Sequence, residues 1–141
     1  MRKRVEKVLS PNDVGATGTH QSGILIPKKS DLLSFFPQLN AEAENPRHVL
    51  QFEDDLGRIW KFALIYYNNK LRGGTRNEYR LTRMTEFMHQ YGAKEGDVLF
   101  FEWIDGEYSV GIEPSSSGCQ EDDEGVIKLE LDGNWRVINY K

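Results

Sequence analysis

Residues 66–83, Tyr66 to Arg83, read YYNNKLRGGTRNEYRLTR, and they admit two architectures. Thr75-x-x-Glu78 matches a capping box, in which the hydroxyl and the carboxylate satisfy free amides at a helix start, leaving the arginines on a solvated helical face. The other reading is an exposed arm, and Gly73-Gly74 suits it: without a Cβ, the backbone can turn tightly or lie close to another surface. The preceding residues favour the arm. Arg58 to Tyr66 is rich in β-branched and aromatic residues and reads as a strand, so the stretch begins where a strand ends.

Charge makes the same stretch conspicuous. Five cations, Lys70, Arg72, Arg76, Arg80 and Arg83, accompany one acid, Glu78, a surplus of four in a chain of formal charge -4. Residues 1–30 hold six positives and two negatives, so everything outside these two segments sums to -12. Local phosphate neutralisation governs polyanion binding, so a chain segregated in this way can bind DNA on one side. The residue types suit base edges as well: Arg can fork onto guanine, Asn onto adenine, and Glu can accept from the cytosine amine.

A length of 141 residues predicts one domain, 1–141, able to bury a core without staples. No apolar run approaches the ~18 residues of a membrane span. The opening MRKRVEKVL lacks the apolar stretch of a secretory signal, which leaves a cytoplasmic location as the expectation. Cys119 is the single cysteine, and His20, His48 and His89 show no ligand spacing. Neither a disulfide, a metal site nor a cofactor is expected.

Taken in order, Val5 to Ser10 reads as a short strand ending in a turn, followed by an exposed loop, Gly15 to Gly23. His20, by default an ordinary surface histidine, sits between glycines in that loop, flanked by Lys7 and Lys28, which shifts the reading toward a contact residue. Ile24 to Ile26 is a brief strand, and Ser30 to Phe36 a short helix with Ser30 as N-cap. His48 to Glu53 and Arg58 to Tyr66 form a hairpin across the turn Asp54-Asp55-Leu56-Gly57. Met84, Phe87, Met88 and Tyr91 line one face of a second short helix closed by Gly92. Two further hairpins follow, turning at Asp105-Gly106 and Asp132-Gly133, with a flexible acidic loop at about 114–124 between them. About eight strands, two short helices and no βαβ alternation predict a mainly β barrel or sandwich with helices plugging its ends.

Catalytic signals are scarce. No lysine has an acid two residues before it, as a metal-dependent nuclease triplet would require, and there is no G-x-S-x-G, H-E-x-x-H or phosphate loop. The acidic run Glu121 to Glu124 could gather Mg²⁺ only with a rigid scaffold. A small Mg-dependent nuclease and a single-strand or RNA-binding barrel that stacks bases on aromatics stand as alternatives.

Two segments together resemble a known family. SPNDVGATGTHQSGILIP, Ser10 to Pro27, and IYYNNKLRGGTRNEYRLTR, Ile65 to Arg83, are similar to the amino-terminal effector DNA-binding domain of EcoRII-type restriction endonucleases. Ile26-Pro27-Lys28-Lys29 and EGDVLFFE, Glu95 to Glu102, further resemble plant B3 transcription-factor domains. The resemblance implies a seven- to eight-stranded open pseudobarrel with two short flanking helices. It would grip double-stranded DNA in the major groove with two arms, with a catalytic nuclease domain elsewhere in a bacterial parent enzyme. It also implies a short C/G-rich target of the CC(A/T)GG kind. Lys7, His20 and Gln21 would lie on or beside the first arm, and Lys70, Arg76, Glu78 and Arg80 on the second. Arg76 and Arg80 are assigned to guanine edges or phosphate and Glu78 to a cytosine amine. Lys7, Lys70 and Arg72 are assigned to phosphates, and Asn77 either to a contact or to bracing the arm. Tyr79 is a further DNA-contact candidate, although the family pattern carries lysine there and at Gly74, and tyrosine where this chain has Leu25.

Overall fold

Stretches such as LQFE, Leu50 to Glu53, alternate buried and exposed residues, and alternation at period two is what a half-buried strand requires. The computed structural model describes the chain apart from residues 1, 12, 15–22, 41, 69–72, 76, 115–125, 131–134 and 141. Among the described residues there are nine strands: β1 (Arg2–Val8), β2 (Ile24–Ile26), β3 (Arg47–Glu53), β4 (Ile59–Tyr67), β5 (Glu78–Thr82), β6 (Val98–Ile104), β7 (Glu107–Glu113), β8 (Val126–Glu130) and β9 (Trp135–Tyr140). Two short helices, α1 (Ser30–Leu33) and α2 (Thr85–Gln90), accompany them.

All nine strands join one sheet in the order β2-β5-β4-β3-β7-β6-β1-β9-β8. Every neighbouring pair is antiparallel except β3 and β7, which meet in parallel at one registered pair, Glu53 with Ser109. That thin seam divides the sheet in two. On the other side Trp135 of β9 donates its indole N–H to the Leu25 carbonyl of β2 at 3.0 Å. The bridge on one side and this side chain on the other close the two halves around a shared core, giving the mainly β open pseudobarrel with two short helices that the sequence predicts.

The strand absent from the sequence count is β5. Glu78 heads this strand rather than completing a helical capping box, because Leu81 is registered with Ile24 on one side and Leu64 on the other. Two partners satisfy its ladder where a helix would satisfy only itself. The first helix also departs from expectation. Lys29 takes the N-cap position without a side-chain hydrogen bond, and α1 ends at Leu33. Tighter i to i+3 bonds, Phe35 N–H to Leu32 and Phe36 N–H to Leu33, carry the turn onward.

The core is aromatic. Phe52, Phe62, Phe87, Phe101 and Trp135 are at most 1% exposed. The Phe52 ring lies 5.3 Å from that of Phe62 and 5.1 Å from that of Phe101. Leu32 of α1 and Phe87 of α2 plug the barrel, and burying a side chain of this size contributes about 1.5 to 3 kcal/mol.

At the β3–β4 turn the Asp54 carboxylate accepts from the amides of Leu56 and Arg58, the Arg58 Nε–H and the Trp60 indole, each at 2.9 Å. Burial alone would push this carboxyl up. The hydrogen bonds outweigh it and hold Asp54 well below the usual carboxylate range.

Candidate nucleic-acid interface

The side chains of β5 divide by register between core and surface. Leu81 and Tyr79 point inward, in line with Leu64 and Tyr66 of β4 and with Ile24 and Ile26 of β2. Glu78, Arg80 and Thr82 therefore point outward. Across the strands the central outward row runs Leu25, Arg80, Ile65, Arg47 and contains no acid.

Arg80 is the tie in this row. Its Nη1 donates to the Gly23 carbonyl at 3.0 Å, its Nη2 reaches Glu78 Oε2 at 3.5 Å, and its Nε lies 3.3 Å from Glu78 Oε1 without hydrogen-bond geometry. Gly23 permits that approach. It sits at φ +95, and an added Cβ would fall 2.5 Å from the Leu81 carbonyl oxygen. Gly23, the last residue of the expected first loop, is thus laid directly on β5.

Both roots of that loop are fastened. On its upstream side the buried Lys7 ammonium is paired with the buried Asp13 carboxylate, which also accepts the Ser10 amide at 2.9 Å. The second basic stretch is fastened by amides and rings. Asn45 and Asn68 exchange backbone-to-side-chain bonds at 2.8 and 3.2 Å, and Asn68, fully buried, donates to the Ala43 carbonyl at 2.6 Å. The Tyr66 hydroxyl donates to Asn77 Oδ1 at 2.6 Å, and the Tyr66 and Tyr79 rings stack at 4.3 Å. Burial, and secondarily the neighbouring Tyr66, push the Tyr79 phenol up, so it stays neutral. Gly73, exposed at φ +89, provides the turn expected of the glycine pair. Gly23 faces the Thr82 end of β5 and Asn77 precedes its Glu78 end. At about 3.3 Å per residue the two roots stand about 16 Å apart, with Arg80 between them.

The expected contact residues divide accordingly. Glu78 and Arg80 are on the outer face. Asn77 braces the arm through Tyr66, and Tyr79 is half-buried against that same ring. Lys7, expected at phosphate, is 6% exposed and its charge is met internally by Asp13, because its position on β1 points into the barrel. His20, Gln21, Lys70, Arg72 and Arg76 lie outside the described residues, as does the acidic run Glu121 to Glu124. The surplus counted over residues 1–30 is also smaller at the surface than in sequence. Arg2 is held by Glu102 at 2.7 Å, and Arg4 by Glu6 and Glu113 at 2.7 Å each. Sequence reasoning missed Asn45, Asn68 and Arg47. A buried asparagine just past a strand is a common brace, yet its partner 23 residues away carries no local signal. Among the described residues no group of three or more His, Cys, Asp or Glu is placed to hold a metal, and no helix is long and apolar enough to cross a membrane.

Residues 4–96 match the family described as restriction endonuclease EcoRII, N-terminal. The chain belongs to that family. Over 91 residues it is 42% identical to the type II restriction enzyme EcoRII of Escherichia coli, covering 59% of this chain and 21% of that enzyme. A B3 domain-containing protein of Oryza sativa subsp. japonica is 30% identical over 107 residues, 75% of this chain and 34% of that protein. This EcoRII N-terminal family member therefore spans between a fifth and about a third of those relatives. In the solved "Arabidopsis FUS3-DNA complex" a chain superposes with TM-score 0.60 at 22% identity, covering 78% of this chain and 95% of that one, a likeness of fold.

Proposed function

We propose that this chain is a sequence-specific double-stranded-DNA-binding domain, the recognition or effector module of a type II restriction endonuclease whose catalytic nuclease domain lies elsewhere in the parent. The observation that carries this reading is the outward pair Glu78 and Arg80 on β5, set between the fastened roots of the two expected arms. A duplex seated between those segments would present its major groove to that pair. Arg80, together with Arg76, would take guanine edges or the adjacent phosphate, and Glu78 a cytosine amine, so a short C/G-rich site of the CC(A/T)GG kind fits the chemistry. Arg72, Lys70 and His20 on the arms would add phosphate or base contacts, and Gln21 a further polar contact. Family membership and the likeness to a DNA-bound fold support the same reading.

Anisotropy titrations with a CC(A/T)GG duplex, a scrambled duplex and a single strand test it. The cognate duplex should bind tightest, and Arg76→Ala should cost about 1 to 3 kcal/mol on it and far less on the scrambled duplex. Selection from a random pool should show Glu78→Ala relaxed at one base position. Preference for the single strand would refute the reading, and so would cutting of plasmid by this chain alone with Mg²⁺.

A further inference from the structure

Arg47 opens β3, and its side chain is exposed on the outer face that carries Arg80. Register fixes the relation: Arg80 is paired with Ile65, and Ile65 with Arg47. Two inter-strand steps of about 4.8 Å put the Cα atoms of the two arginines about 10 Å apart. Ile65 between them is only 5% exposed.

The backbone beneath Arg47 is fixed to the root of the second arm. The Tyr66 amide donates to the Pro46 carbonyl at 3.0 Å, and one residue earlier Asn45 exchanges hydrogen bonds with Asn68. Asn45 holds φ +45, an unusual conformation for a residue with a side chain and one that this exchange supports. Arg47 is therefore tied through the backbone to Asn68, at the root of the arm. Its charge also differs from those of its neighbours. Glu78 is held by Arg80, Asp54 by Arg58 and Trp60, and no acid is paired with Arg47 among the described residues. An uncompensated guanidinium beside the base-facing row is placed to meet a backbone, because phosphates border the groove that the row would enter.

We propose that Arg47 is a phosphate clamp at the root of the second arm, docking the DNA backbone and so setting the register of Glu78 and Arg80 on the base edges. This rests on the DNA-binding reading above. It extends the contact surface from the arms onto β3. A contact of this kind positions without specifying, so its loss should weaken all duplexes alike.

The test is a salt titration of wild type, Arg47→Ala and Arg47→Lys against cognate and scrambled duplexes. With Arg47→Ala, affinity should fall several-fold on both, and the slope of log K against log salt should become shallower by about 0.9, one phosphate's worth. Arg47→Lys should keep the wild-type slope. Melting curves should coincide, since the side chain is exposed. Wild-type binding with an unchanged slope in Arg47→Ala overturns the clamp alone, and so does a loss confined to the cognate duplex. A wild-type chain that binds no duplex overturns both the clamp and the reading beneath it.

Discussion

The two halves of the barrel each carry arginines on their outer face, and they use them differently. On β1, β6 and β9 the charges are cancelled strand by strand: Arg4 reaches Glu6, Glu102 and Glu113, Arg136 reaches Glu6 at 3.4 Å, and Arg2 reaches Glu102. Burial opposes the Arg4 charge, but its carboxylate partners outweigh burial and raise its pKa. Arg4 also stacks over the Phe100 ring at 4.1 Å, which fixes it further. On β2, β5, β4 and β3 the row Leu25, Arg80, Ile65, Arg47 holds two cations and no acid, with Glu78 as the neighbour of Arg80. Cations with carboxylate partners contribute to the sheet, and those left without a full partner remain available to an anion. Counting positives along the chain cannot separate the two kinds.

The comparison breaks most visibly at Lys7. If it belongs to the cancelled set, Lys7→Ala strands a buried carboxylate and should cost about 3 to 5 kcal/mol in denaturant unfolding. The salt slope of duplex binding by the folded fraction should stay unchanged, since no phosphate contact is lost. A lost phosphate contact with intact stability would return Lys7 to the contact surface.

A smaller effect sharpens the picture on the cationic half, where the most tightly held acid, Asp54, is committed to its own turn. Its folded pKa lies below the unfolded value of about 3.9, so its stabilisation is complete above that pH and is lost as pH falls through it toward the folded value. Asp54→Asn should therefore lose about 2 kcal/mol at neutral pH and show a flatter decline in acid, read from unfolding at several pH values. Equal acid sensitivity in both proteins would place the titrating group elsewhere. The smallest effect is expected on the cancelled face. Arg2→Ala removes a half-exposed surface pair and should change stability by less than about 1 kcal/mol and the DNA salt slope not at all.

Much of the fold is legible in the sequence because it is local. The hairpin from Arg47 to Tyr67 shows in its β-branched and aromatic residues and in Asp54-Asp55-Leu56-Gly57 between them, and the hairpin turning at Asp105-Gly106 shows in the same way. The stripe Met84, Phe87, Met88, Tyr91 announces α2, whose Phe87 and Met88 are buried. EYRLT announces nothing: three of its five residues are polar or charged, and it becomes β5 only because β2 and β4 stand on either side. Glu78 and Arg80 are legible as contact candidates by residue type. The braces Asn45 with Asn68 and Tyr66 with Asn77 are not, since each depends on a partner brought in by folding.

The amino-acid order alone determined the strand-rich class, the turns and the position of the cationic stretch, all of which follow from neighbours within a few residues. Tertiary structure alone decided which cations are cancelled. Arg2 meets Glu102 across 100 residues of chain and Lys7 turns inward to Asp13, while Arg47 comes into line with Arg80 with no acid paired to it among the described residues. The physical reason is distance. Pairing energy weakens with separation and is screened beyond about 8 to 10 Å in physiological salt, and only the closed sheet sets those separations.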